Sequence, residues 1–171
     1  MIRVAGRAAH AHGQYSDSLS FVLDLVLLPD DYAVCRLDPG TPLPPGLDAG
    51  KGVVSVTWTE DEISIICPAS QAPTTGTVNA PWRCFQVTGP LDLALTGIVA
   101  ALVTPLADAR VNVFVFSTYE TDYVLVPAVR LDEAQAALAA AGHRITVPTP
   151  DTSQRQPDRP SGGGSAGPVA S

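Results

Sequence analysis

LDLALTGIVAALVTPLADARVNVFVFSTYETDYVLV, residues 91–126, changes its hydrophobic period partway along, and that change decides the fold class. Leu91, Leu95, Ile98, Leu102 and Leu106 recur every three or four residues, the spacing that lines apolar side chains along one stripe of a helix. From Val111 the period falls to two. Val111, Val113 and Val115 take one face, while Asn112, Phe114 and Phe116 take the other, as in a strand. The polar run Ser117-Thr118-Tyr119-Glu120-Thr121 turns the chain into a second strand that reaches Val126. A helix feeding an antiparallel strand pair, with another helix after it, belongs to an α+β sandwich of helices on a sheet. No phosphate loop, metal cage or catalytic triad fits that order. The polar loop at the strand tips is the place to expect function.

The flanking sequence extends this pattern. Trp82 to Val87 reads as a strand. Gly89-Pro90 marks the expected start of the long helix, because proline is pre-set for the first helical position and Asp92 suits the positive helix end. Leu131 to Ala141 reads as a second helix, with Asp132 and Glu133 in its first turn and Gly142 as its stop. His143 follows that stop in a structural role at the negative helix end, and His143 to Val147 reads as a short last strand. The order is βαββαβ, the ferredoxin-like arrangement. Upstream, Leu19 to Leu28 and Tyr32 to Leu37 read as strands, and Thr41 to Gly46 as a proline-rich connector. Val53 to Trp58 and Glu62 to Cys67 form a hairpin, with Ile63 and Ile65 on its buried face. Pro68 to Pro81 reads as a loop. The first half is then ββ-loop-ββ, a degenerate version of the second. The expected division is a disordered head (1–18), a first module (19–81), a second module (82–147) and a disordered tail (148–171) rich in Pro, Thr, Ser and Gly.

Composition narrows the function classes. At 171 residues with 46% apolar content, the chain can fold as one large or two small domains. No apolar run approaches the ~20 residues of a membrane span, and the first dozen residues lack the apolar core of a secretory signal, so a cytoplasmic protein is expected. A net charge of −7, with a single lysine, Lys51, disfavours a nucleic-acid partner. Cys35, Cys67 and Cys84 share no metal spacing and read as reduced core thiols. His10 and His12 have a metal-compatible spacing without a third ligand nearby. No metal and no cofactor are expected.

The run TGPLDLALTGIVAALVTPLADARVNVFVFSTYETDYVLV resembles the ACT-domain proteins, of the kind that carry two small ACT modules in one short chain. The hairpin VVSVTWTEDEISIICP, Val53 to Pro68, and the pair Trp82-Arg83 are similar to the first module of that family. Relatives in the family include cytosolic arginine sensors and the regulatory domains of aspartate kinases. The resemblance covers roughly Phe21 to Ile145 and implies two ferredoxin-like βαββαβ modules, the first degenerate, with antiparallel sheets packed against helices. It also implies pairing of modules edge to edge and a free amino acid held at the seam between modules; the unpaired edges of such sheets predict a symmetric homodimer, or a pseudo-dimer of the two halves that pairs again. The implied site is Thr96, Gly97 and Ile98 of the helix with Ser117, Thr118, Tyr119, Glu120, Thr121 and Asp122 of the loop.

Each of these residues also has a plainer role. Gly97, costly inside a helix by about 1 kcal/mol, admits a ligand or allows close helix-to-sheet packing. Asp122 accepts a ligand ammonium or caps nearby amides. Glu120 reads as a solvated turn residue, and Ser117 and Thr118 are common in turns. Glu120 and Asp122 lack the burial that acid–base catalysis needs, and no nucleophile–base pair appears, so the chain is not expected to be an enzyme. Trp58 and Trp82 are expected in the core or at a seam. Two function classes remain: an amino-acid sensor, or an adaptor without a ligand that pairs with a protein through its sheet edges.

Overall fold

The computed structural model of the protein describes residues 3–4, 21–47 and 52–148. Its strands and helices are, in chain order, β1 (Arg3–Val4), β2 (Phe21–Val22), β3 (Asp24–Leu27), β4 (Tyr32–Leu37), β5 (Ser55–Trp58), β6 (Ile63–Pro68), β7 (Thr77–Val87), α1 (Ile98–Asp108), β8 (Phe114–Ser117), β9 (Asp122–Pro127), α2 (Leu131–Ala140) and β10 (Arg144–Thr146). The run β7-α1-β8-β9-α2-β10 is the βαββαβ order expected of the second half. The fold is α+β, dominated by antiparallel pairing.

The long strand β7 organises the sheet. One edge of its second half pairs with β9, Trp82 opposite Pro127 and Gln86 opposite Tyr123. The other edge is followed first by β4 and then by β3, with Leu25 opposite Val87. A register shift between Tyr32 and Val34 interrupts the β4–β7 pairing. Beyond β4 come β6 and β5; beyond β9 comes β8. The last strand, β10, pairs in parallel with β3, Arg144 opposite Asp24. A first-half strand therefore stands between β10 and β7, inside the sheet of the second half.

Alternation along the strands sorts the core into layers. On one face, Leu25 and Leu27 of β3, Phe85 and Val87 of β7 and Val124 and Val126 of β9 are buried under α1 and α2. Ile98, Leu102 and Leu106 of α1 and Ala134 and Leu138 of α2 meet them. Each large apolar side chain of this kind contributes about 1.5–3 kcal/mol of transfer free energy. The opposite face gathers Tyr32, Ile66, Trp82, Cys84, Tyr123 and Leu125. Ala33, Cys35, Leu37, Ile63, Ile65 and Cys67 form a third cluster within the first half. All three cysteines are buried and free; burial pushes the Cys67 and Cys84 thiols up to about 12.

Several elements differ from their expected form. The long helix begins at Ile98, not at Pro90. The amides of Ala94 and Leu95 bond the Asp92 side chain and carbonyl at 2.9 Å each, and Leu91 donates to the Glu120 carbonyl at 2.8 Å. Those bonds hold 91–97 as a turn. Strand β7 begins at Thr77, inside the segment expected as a loop, and contains Pro81. Trp82 is in the core as expected, its indole bonded to Asn79, but Trp58 is 62% exposed. It ends the edge strand β5, where no described residue covers it. In the head, Arg3 and Val4 pair with Val22 and Phe21. The remainder of the head, with His10 and His12, and the tail beyond Pro148 lie outside the described residues. No described helix is long and apolar enough to cross a membrane, and no cluster of metal-ligating side chains occurs among the described residues.

Candidate functional site

The N-terminus of α1 and the loop from Ser117 to Asp122 face each other across a cleft of about 390 Å³. Gly97 is the hinge of one wall. Its φ of +89° stops the chain from entering the helix earlier, and this left-handed conformation is open to glycine at little cost. A Cβ at Gly97 would meet only Phe21 Cε2, at an ordinary 3.5 Å, so backbone conformation explains the glycine better than close packing does. The first helical bond runs from the Ala101 amide to the Gly97 carbonyl at 2.9 Å. The amides of Ile98, Val99 and Ala100 precede it and have no partner within the helix, and no side chain among the described residues caps them.

The opposite wall is a tight turn between β8 and β9. Thr118 closes it through its amide, 2.8 Å from the Thr121 carbonyl. Thr121 is buried, and its hydroxyl donates to the Val87 carbonyl at 2.5 Å, pinning the loop to β7. Ser117 donates to Asp122 Oδ1, also at 2.5 Å, which fixes that carboxylate at the start of β9. Glu120 is exposed and makes no side-chain bond among the described residues. Gly89 is needed beside it, since a Cβ there would come within 2.8 Å of the Glu120 carbonyl.

Eight of the nine residues singled out in the sequence line this cleft: Gly97, Ile98, Ser117, Thr118, Tyr119, Glu120, Thr121 and Asp122. Thr96 is exposed and does not. Gly97 and Thr96 stand before the helix rather than within it. Asp92, Leu93, Leu95 and Val99 also line the cleft and were not singled out: helical spacing had placed Leu95 on a buried stripe and Asp92 at the positive helix end. Leu93 is 71% and Tyr119 80% exposed. Every lining residue falls within 91–122, so the cleft belongs to the second half alone.

The lining carries three carboxylates and no Lys, Arg or His. Unpaired helix amides attract anionic groups, and a fixed carboxylate attracts cations. One cleft thus offers both polarities beside exposed aliphatic and aromatic surface.

A family model for the ACT domain matches residues 77–140, and a separate N-terminal-domain model matches 30–75. A solved protein from Agobacterium tumefaciens is 34% identical and superposes with a TM-score of 0.69, over 75% of this chain and 95% of that one. A Vibrio cholerae protein of unknown function, described as a possible transport protein, is 20% identical with a TM-score of 0.56, over 70% and 90%. The regulatory subunit of aspartate kinase from Thermus flavus shares the fold at 13% identity and a TM-score of 0.50, over 70% and 97%. No curated protein matches in sequence. The fold is one used by regulatory domains. This chain belongs to the ACT-domain family.

Proposed function

We propose that the protein is a regulatory sensor, without a catalytic step of its own, that binds a free amino acid in the cleft between α1 and the Ser117–Asp122 loop. The observation that carries this reading is the pairing of unpaired helix amides with the fixed Asp122 carboxylate in one cleft. The amides of Ile98 to Ala100 suit an α-carboxylate, and Asp122 suits an α-ammonium. Since only second-half residues line the cleft, the seam that closes it is one between two copies of the chain. Exposed Leu93, Leu95, Val99 and Tyr119 surround the cleft, and a cytoplasmic homodimer that covers them is part of the same reading. So is the division into two ACT-like modules, 19–81 and 82–147; two separate family models matching 30–75 and 77–140 support a division near residue 76, and the second of them is the ACT model.

A ligand of about ten heavy atoms gains very roughly 0.5–0.8 kcal/mol per atom. The resulting 5–8 kcal/mol corresponds to dissociation constants from about millimolar to about micromolar. At a hundredfold excess the ligand stabilises the fold by about 2.7 kcal/mol, which moves the melting temperature by several degrees. A thermal-shift screen of the twenty amino acids, followed by calorimetry, tests this. At least one should bind, and Asp122→Ala should abolish the shift while leaving the unliganded melting point nearly unchanged. No binding below ~10 mM, or equal binding by Asp122→Ala, refutes the assignment and favours an adaptor.

A further inference from the structure

A second cleft, of about 400 Å³, lies on the sheet face opposite the helices. Neighbouring residues on a strand point to opposite faces, so Asp122 reaches the first cleft while Tyr123 reaches this one. Gln86, directly across from Tyr123 in the β7–β9 register, shares its face. The first half supplies the facing wall, including Asp30, Tyr32 and Gly52.

Three polar groups in this cleft have unused hydrogen-bonding capacity. Tyr32 is fully buried. Its phenol oxygen accepts the Val53 amide at 3.3 Å, while the phenol hydrogen has no acceptor among the described residues. Desolvation pushes this phenol up to about 12, so it stays neutral at any physiological pH. The Gln86 amide and the Asp30 carboxylate make no bond or ion pair with any described residue, although neighbouring Asp31 is paired with Arg83. Gly52, at φ +78°, lets the backbone pass close to Tyr32, Asp30 and Pro68. A Cβ there would lie 3.2 Å from the Tyr32 hydroxyl, 3.6 Å from Asp30 Oδ2 and only 2.7 Å from Pro68 Cγ. The buried Tyr32 hydroxyl and an Asp30 carboxylate oxygen therefore both lie close to the Gly52 backbone, on the same side of the cleft. No cationic side chain lines the cleft, and Leu28 and Val53 give it an apolar wall.

We propose that this cleft is a second binding site, for a small organic ammonium ion. The Asp30 carboxylate and the side-chain oxygen of Gln86 accept its N–H bonds, and its alkyl part lies on Leu28 and Val53. A carboxylate with a neutral oxygen acceptor and no cation selects an ammonium over a neutral or anionic ligand of equal size.

Amide NMR of the full chain, titrated with n-butylammonium and separately with butanol, tests the site. The ammonium should give saturable shifts at Gly52, Val53, Gln86 and Tyr123, and butanol should not. Asp30 is exposed and unpaired, so Asp30→Asn preserves the fold; it should weaken ammonium binding at least about tenfold, the scale of one charge-assisted bond. Gln86→Leu should weaken it as well. Four results overturn the proposal: no saturation by about 100 mM, an equal response to butanol, undiminished binding by Asp30→Asn, or shifts confined to Ser117–Asp122. The last would assign the ammonium to the first cleft, whose own reading stands or falls separately on the amino-acid screen.

Discussion

Pro105 sits inside α1, where it removes the amide that would bond the carbonyl four residues back. That carbonyl belongs to Ala101, and His143 Nε2 lies 3.0 Å from it. The other ring nitrogen, Nδ1, accepts the Leu23 amide at 3.3 Å. With Nδ1 accepting, the proton resides on Nε2, which donates to Ala101. His143 therefore fills the gap that Pro105 opens in the helix and ties α1 to the break between β2 and β3. Replacing His143 with leucine leaves a buried donor, the Leu23 amide, and a part-buried acceptor, the Ala101 carbonyl, without partners. At about 1–3 kcal/mol for each such group, the expected loss is roughly 2–6 kcal/mol, a fall of about 5–20 °C in melting temperature. Pro105→Ala restores an amide at position 105, so the Ala101 carbonyl keeps a donor when His143 is absent. In that background the cost of His143→Leu should shrink by about 1 kcal/mol. Urea denaturation of the parent, the two single variants and the double variant measures this coupling. Losses that add to within ~0.5 kcal/mol would refute the compensation of Pro105 by His143. An unchanged stability in His143→Leu would refute both bonds.

Two further predictions concern the backbone of the first cleft and the closing strand pair. Gly97→Ala should cost about 1–2 kcal/mol, the strain of a left-handed backbone for an L residue, whereas Gly97→Asn should cost less because asparagine tolerates that region. Equal losses in thermal melts would mean that crowding, not φ, demands the glycine. On β3 and β10, the hydrogen bond from Arg144 holds the Asp24 carboxyl below its ordinary value of 3.8. A carboxyl depressed on folding adds stability above its unfolded value and loses it as pH falls through the folded value. Arg144→Gln should therefore melt below the parent near neutral pH at low salt, by a small margin because the pair is exposed. The gap should close below pH 3.8; a gap that persists to pH of about 2 would mean that Arg144 acts through packing instead.

Period and burial made much of the fold legible. Leu102 and Leu106 are buried where the helical spacing placed them, and Val111, Val113 and Val115 do turn toward the core that Asn112 does not reach. What was not legible depends on long-range partners. The parallel pairing of β10 with β3 joins Arg144 to Asp24, residues with no local pattern in common. Pro81 argued against a strand, yet it lies beside Trp82, where β7 meets Tyr32 next to a register shift, the kind of irregular position at which a sheet tolerates proline. Trp58 stands opposite Ile63 on the buried side of its hairpin, and only its place at the end of an edge strand exposes it.

The misread helix start and the cleft share one cause. Leu91, Leu95 and Ile98 fit a helical stripe, but only Ile98 is helical. The deciding bonds are the Asp92 turn and the Leu91 amide on Glu120, and the second of these joins the two walls of the cleft. Had the helix begun at Leu91, its free amides would sit seven residues earlier, about 10 Å along the axis at 1.5 Å per residue. The amides of Ile98 to Ala100 would then be spent inside the helix and turned away from Asp122. Gly97, which looks like a defect when it is read as helix interior, is the residue that ends the turn and opens the helix N-terminus onto the loop.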